Sequence, residues 1–172
     1  MSRRTILLTA VVVVAVIVGV VVWQMQPSAD RQRVEAVASF AQAVVDRDTT
    51  AILKYAPDGI ANSIDSELLT SQLGYTPGPA SIESRDWSGS TLTVRGSVTN
   101  GGADYSGTLT LAPAGSDAVR MTAVNPGYDP DNTYFRLSRE STGWKITGFN
   151  SGSLPEGDSD WFSPWNGLEG GQ

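Results

Sequence analysis

The chain has 172 residues, with 12 basic and 18 acidic side chains and neither cysteine nor histidine. That composition excludes a disulfide framework, a lipid-modified cysteine anchor, zinc centres built on Cys or His, and any Ser-His or Cys-His nucleophile pair. Arg3 and Arg4 are the only charges before Asp30, so the remainder carries ten basic residues against 18 acidic ones. Such a surface is repelled by phosphate backbones, which argues against nucleic acid as a partner.

After a stub over 1–4, residues 5–23 read "TILLTAVVVVAVIVGVVVW", an uncharged run. At about 1.5 Å per residue a helix of this length crosses most of a hydrocarbon core of roughly 30 Å. Its valines favour a helix poorly in water, but in lipid an unpaired backbone costs so much that the helix is expected. Ile6 and Leu8 begin the expected membrane anchor, and Trp23 ends it at the interface. The alternative, a cleaved signal peptide, needs a shorter apolar core and a small-x-small site, and Met25-Gln26-Pro27-Ser28-Ala29 supplies a poor one. Arg3 and Arg4 then hold the N-terminus in the cytoplasm, with the rest outside the cell membrane. Ala15 and Gly19 have the spacing that allows two helices to approach closely, although small residues are common in such helices.

A linker over 24–30 leads to "DRQRVEAVASFAQAVVDRD", where Val34, Val37, Phe40, Ala41, Val44 and Val45 recur at helical spacing. Ser28 or Asp30 can cap this helix, and Arg33, Gln42 and Arg47 mark its polar face. A short helix over 50–56 should end at Pro57-Asp58-Gly59. A third is expected over 60–74, with Ile60, Ile64, Leu68 and Leu69 on one stripe. Beyond "GYTPGPAS" the period becomes two. "SIESRDW", the stretch from Thr91 to Val98, the stretch from Tyr105 to Leu111, "AVRMTAV", "TYFRLSRE" and "GWKITGF" predict about six strands with hairpin-length links. The expected fold is therefore α+β, an N-terminal transmembrane helix followed by helices packed on a curved antiparallel sheet. One amphipathic helix covers six strands only if the sheet curls, and Gly96, Gly107 and Gly148 are placed for the bends.

The opening "VASFAQAVVDRDTTAILKYAPDGI" and the closing strand "GWKITGF" resemble the nuclear-transport-factor-like, cystatin-related superfamily of conical α+β domains. The nearest architecture is that of bacterial single-pass proteins, such as Mce-associated membrane proteins and type IV secretion assembly factors. The resemblance covers 31–150, the expected extracytoplasmic domain, and leaves 151–172 outside as an acidic, aromatic tail. It implies either a small-molecule pocket or a binding and scaffolding role, and it transfers no site residue.

Several groups invite chemistry. Asp46, Asp48, Asp58, Tyr55 and Tyr105 could supply an acid and a base if they met inside the cone, but Asp46 and Asp48 fall at a polar helix end. Asp129, Asp131 and Asn132, and Glu156, Asp158 and Asp160, are clustered like calcium ligands, yet neither stretch forms the twelve-residue loop and both suit ordinary turns. Trp87, Trp144, Phe135 and Phe149 could line an apolar pocket or fill the core. No catalytic residue, cofactor site or metal site is assigned. In the tail, Trp161, Phe162 and Trp165 need a cover, with Ser163-Pro164 as a helix start. They either fold back on the domain or dock on another protein, and the tail's acidity opposes anionic lipid. The sequence thus predicts a non-catalytic accessory subunit of a membrane complex in the bacterial cell envelope. Other membrane proteins are its expected partners, and lipid contacts the N-terminal helix. An extracytoplasmic module that holds an apolar molecule is the alternative.

Overall fold

The computed structural model describes residues 27–73, 80–100, 103–125 and 129–168. The Thr5–Trp23 run, with Ile6, Leu8, Ala15, Gly19 and Trp23, lies outside the described residues, among which no helix is long and apolar enough to cross a membrane.

Helix α1 (Ala29–Val45) starts where Ser28 accepts the Arg31 amide at 3.2 Å, so one of its orphan N–H groups is satisfied. Val34, Val37 and Phe40 are buried, as the periodicity predicts. Arg33 is not on a polar face: it is 3% exposed. Its guanidinium donates to the Asp30 carboxylate and, at 3.2 Å, to the Gly115 carbonyl, while lying over the Trp144 ring. The long stem packs as an apolar group while Nη2 of the head finds both polar partners, and Nε and Nη1 are buried without a hydrogen bond among the described residues. Helix α2 (Thr49–Leu53) is capped by Asp48, which accepts the Ala51 amide at 2.9 Å. Helix α3 spans only Ser66–Leu73, shorter than expected. Asp65 accepts the amides of Glu67 and Leu68 at 2.8 and 3.1 Å, which fixes the start, and 60–63 form turns that lead to the buried Ile64.

Six strands follow: β1 (Ala80–Ser88), β2 (Thr91–Asn100), β3 (Ala103–Pro113), β4 (Ala118–Val124), β5 (Asp131–Glu140) and β6 (Gly143–Ser151). They form one antiparallel sheet in sequence order, each strand pairing with the next. The pairing of β1 with β2 slips between Ile82 and Ser84, opposite Gly96, and that of β5 with β6 slips beside Arg136, opposite Gly148. Each slip is a bulge that bends the sheet, and both fall at glycines. Helix α1 packs on β2, β3, β4 and β6, so one helix reaches across most of this face.

The filled part of the core centres on Phe40, whose ring meets those of Tyr55, Phe135 and Trp165 edge-on at 5.9, 6.3 and 6.1 Å between centroids. Trp165 belongs to the tail, so the expected boundary after Asn150 does not bound the core. Phe149 and Phe162 exchange backbone hydrogen bonds of 2.8 and 3.0 Å, which lays the tail along β6, and Leu168 is buried beside Trp165.

Candidate functional site

The other part of the same face is hollow. A groove of about 400 Å³ runs between the C-terminal half of α1 and strands β1 to β4. From the helix come Ala38, Ala41, Val44 and Val45; from the sheet come Ile82, Val94, Leu109, Leu111 and Met121, all apolar. Gly96 and Gly107, paired across β2 and β3, contribute no side chain to it. Two alanines and two glycines thus share the lining, and the small side chains of Ala38 and Ala41 leave space between helix and sheet.

Close approach of neighbouring atoms requires both glycines. A Cβ on Gly96 would overlap the Ser81 carbonyl oxygen of the adjoining strand. One on Gly107 would meet the Asn125 side chain first and then the Val124 carbonyl at 3.0 Å. Among the described residues the only charged side chain lining the groove is Arg85, and it is held by Glu35 of α1 at 3.1 Å. Of the lining residues, Ile82 and Tyr105, on two strands, are exposed and mark the mouth. The groove is not the pocket that the sequence leads one to expect. Phe135 is in the filled core, Trp87 and Phe149 pack against it, and Trp144 borders a separate cleft with Gln32 and Tyr55.

The acid–base candidates do not converge. Asp46 accepts the Gln42 amide nitrogen at 2.9 Å on the helix surface, Asp48 caps α2, and Tyr105 stands at the groove mouth. Tyr55 packs edge-on to Phe40. Asp58 joins a latch instead: it accepts hydrogen bonds from Thr142 and Ser141 in the β5–β6 turn and pairs with the buried Lys145 at 3.0 Å. Those hydroxyls, with the ammonium of Lys145, hold its carboxyl well below the usual carboxylate range. Lys145 also donates to the Lys54 carbonyl at 2.8 Å, closing the end of α2. Of the calcium-like stretches, Asn132 accepts from Thr122 at 2.7 Å and Asp158 pairs with Arg136 at 2.7 Å. Among the described residues no three carboxylates come together as a metal site.

The tail aromatics separate. Trp165 is 2% exposed, and its indole N–H donates to the Ile146 carbonyl at 2.6 Å. It is part of this chain's own core and is not available to a partner. Ser163 and Pro164 open a single turn rather than a helix, while a short 3-10 turn forms over Asp158–Asp160. Trp161 is half-buried against Gly148, near the Arg136 guanidinium. Arg136 holds Asp158 and Asp117 together, and the two carboxylates raise its pKa further. Only the Phe162 ring remains outside, at 63% exposed.

The chain matches no family model, no curated protein and no solved structure.

The site therefore rests on its own chemistry: an apolar, preformed concavity at the lower end of the roughly 300–1,000 Å³ typical of small-molecule pockets. It offers van der Waals contact along its length, hydroxyl and amide groups at its edges, and no nucleophile with a base beside it. Arg85, Met121 and Ala38 attract no notice in the sequence, Gly96 and Gly107 are noticed only as bends and Ala41 only as part of an apolar face, and Leu168 is hidden in the glycine-rich end. The legible signal would have been the coincidence of Ala38 and Ala41 on one helix face with two glycines on adjacent strands.

Proposed function

We propose that residues from Asp30 onward form a non-catalytic, extracytoplasmic binding module, tethered to the cell membrane by Thr5–Trp23, whose groove holds an apolar small molecule or a single lipid chain. The apolar groove of about 400 Å³ carries this reading. Its size suits one chain better than a two-chain lipid. The failure of Asp46, Asp58, Tyr55 and Tyr105 to meet there supports binding over catalysis. Helices ahead of a bulged six-strand sheet are also what supports likening the domain to the nuclear-transport-factor-like cones.

The chain enters this domain at the end away from the groove mouth. Ser28 sits 3.3 Å from Ser90 in the β1–β2 turn, whereas the groove lies along the second half of α1. With Thr5–Trp23 in a bilayer and the domain upright, the mouth faces away from the membrane, toward the envelope space. A second reading, an accessory subunit of a larger membrane complex, is favoured by Phe162, the tail aromatic left exposed.

Native mass spectrometry of the full chain, extracted from membranes in mild detergent, tests the first reading. A bound apolar species should accompany the wild type and be lost from Ala41→Leu, which fills the groove. A bare mass for both proteins overturns it. Co-purified partners lost in Phe162→Ser but retained in Ala41→Leu would select the second reading.

A further inference from the structure

The groove has an apolar length and one polar corner. Of its polar side chains, Gln42 is engaged by Asp46 and Arg85 by Glu35. Ser81, Ser97 and Thr108 alternate along their strands with the lining residues Ile82, Gly96 and Gly107, so their hydroxyls turn to the opposite face of the sheet. Two groups are left, the Tyr105 hydroxyl and the Asn125 amide, and neither has a hydrogen-bond partner among the described residues. Both stand beside Gly107. The Oδ1 of Asn125 is the first atom that a Cβ on Gly107 would meet, with Cγ next in that side chain at 3.6 Å, so the amide nitrogen is turned from the glycine. Tyr105 lies two residues before Gly107 on β3 and therefore on the same face. The corner thus offers N–H and O–H donors where Gly96 and Gly107 leave the backbone bare.

We infer that the groove selects an apolar chain bearing an ester or ketone carbonyl, whose oxygen accepts from the Asn125 amide while the chain runs past Leu109 toward Leu111 and Met121. Tyr105 supplies a second donor at the same corner. This rests on the binding reading above and adds to it the residue that orients the ligand. Apolar walls supply most of the affinity in such pockets, and a few polar groups fix the direction of what they hold. Among the described residues no unmatched cation lines the groove to hold a carboxylate there, which leaves the uncharged carbonyls. Asn125 and Tyr105 are exposed, so each bond to the ligand replaces one to water, and the carbonyl gains roughly two- to tenfold in affinity.

Met121 lines the groove and is a local reporter. The full chain, with isotope-labelled methionine methyl groups, is placed in nanodiscs of zwitterionic ether lipid, which brings no ester of its own. It is titrated with methyl decanoate and, separately, with dodecane, a hydrocarbon of equal length. Each probe's midpoint in the wild type is compared with its midpoint in Asn125→Leu, so partition into the bilayer cancels. The substitution keeps bulk over Gly107 and removes the donors. It should raise the methyl decanoate midpoint about fivefold and leave that of dodecane within about twofold, which also shows that the variant is folded. Tyr105→Phe should move the ester less, by about twofold. An ester midpoint that Asn125→Leu leaves unchanged, or shifts no more than that of dodecane, overturns the inference while the binding reading stands. If neither probe moves Met121 in the wild type, the inference and the binding reading fail together.

Discussion

On the side of α1 that faces β5 and the tail, Phe40 packs against Phe135, Tyr55 and Trp165. On the side that faces β1, β2 and β3, Ala38 and Ala41 line a groove together with Gly96 and Gly107, and about 400 Å³ is left. One helix and one sheet make both halves. What separates them is the source of the filling: on one side a residue from the far end of the chain folds back, on the other nothing does. A concavity between a helix and a bent sheet is open by default, and a domain must supply large side chains wherever it is to be closed.

The sharpest way to break the comparison is to empty the filled half. Trp165→Ala should cost about 3–5 kcal/mol, through lost burial, a residual cavity and the orphaned Ile146 carbonyl, read as a lower urea midpoint. Truncation after Asn150 removes Leu168 as well and should leave no cooperative transition. A fully stable truncated protein would show that the tail only decorates the fold. Next in size, Gly96→Ala forces a methyl group against the Ser81 carbonyl and should cost about 2–3 kcal/mol. Gly107→Ala should cost less, because the first atom in its way is on the movable Asn125 side chain.

A third test concerns the latch that ties the turn after α2 to the filled half. The folded-state pKa of Asp58 is depressed, so its contribution is present above the unfolded carboxylate range near 4 and is lost as pH falls below it. The wild type should therefore exceed Asp58→Asn in urea midpoint at pH 7, and the gap should close on acidification. A gap that persists at the lowest pH would mean that the carboxylate's charge is not what matters. The smallest effect belongs to the hollow half. Ala41→Leu adds volume to open space, so stability should change by less than about 1 kcal/mol, although adding bulk to a packed core costs roughly 1–3 kcal/mol. A larger loss in thermal denaturation would mean that the groove is closed in solution.

Much of the architecture was legible in the periodicities. All six strands lie where alternation places them, because a strand exposes its two faces in strict turn and a half-buried sheet imprints that alternation on sequence. Ser28 acts at the start of α1, as read, for an equally local reason, a short side-chain acceptor within reach of free amides. The failures are where distant segments decide. Arg33 looks like a solvated charge until the Gly115 carbonyl and the Trp144 ring are brought over it. The stripe through Ile60 and Ile64 looks helical, yet Asp65 stops the helix short by taking its first amides. Of the candidate site, the sequence discloses the bends at Gly96 and Gly148, whereas Gly107 carries no slip in register, and it does not disclose the hollow that Gly96 and Gly107 line.

By itself, then, the sequence determined the element order, the antiparallel hairpins, the acidic balance and the aromatic burden of the tail. These follow from local periodicity, turn chemistry and composition, which neighbouring residues settle among themselves. Only the tertiary structure decided that Trp165 closes one half of the core, that Phe162 stays outside, and that a groove remains under Ala38 and Ala41. Those outcomes depend on which segments meet across the fold. An empty space, above all, is a property of all the side chains around it and is written in no one of them.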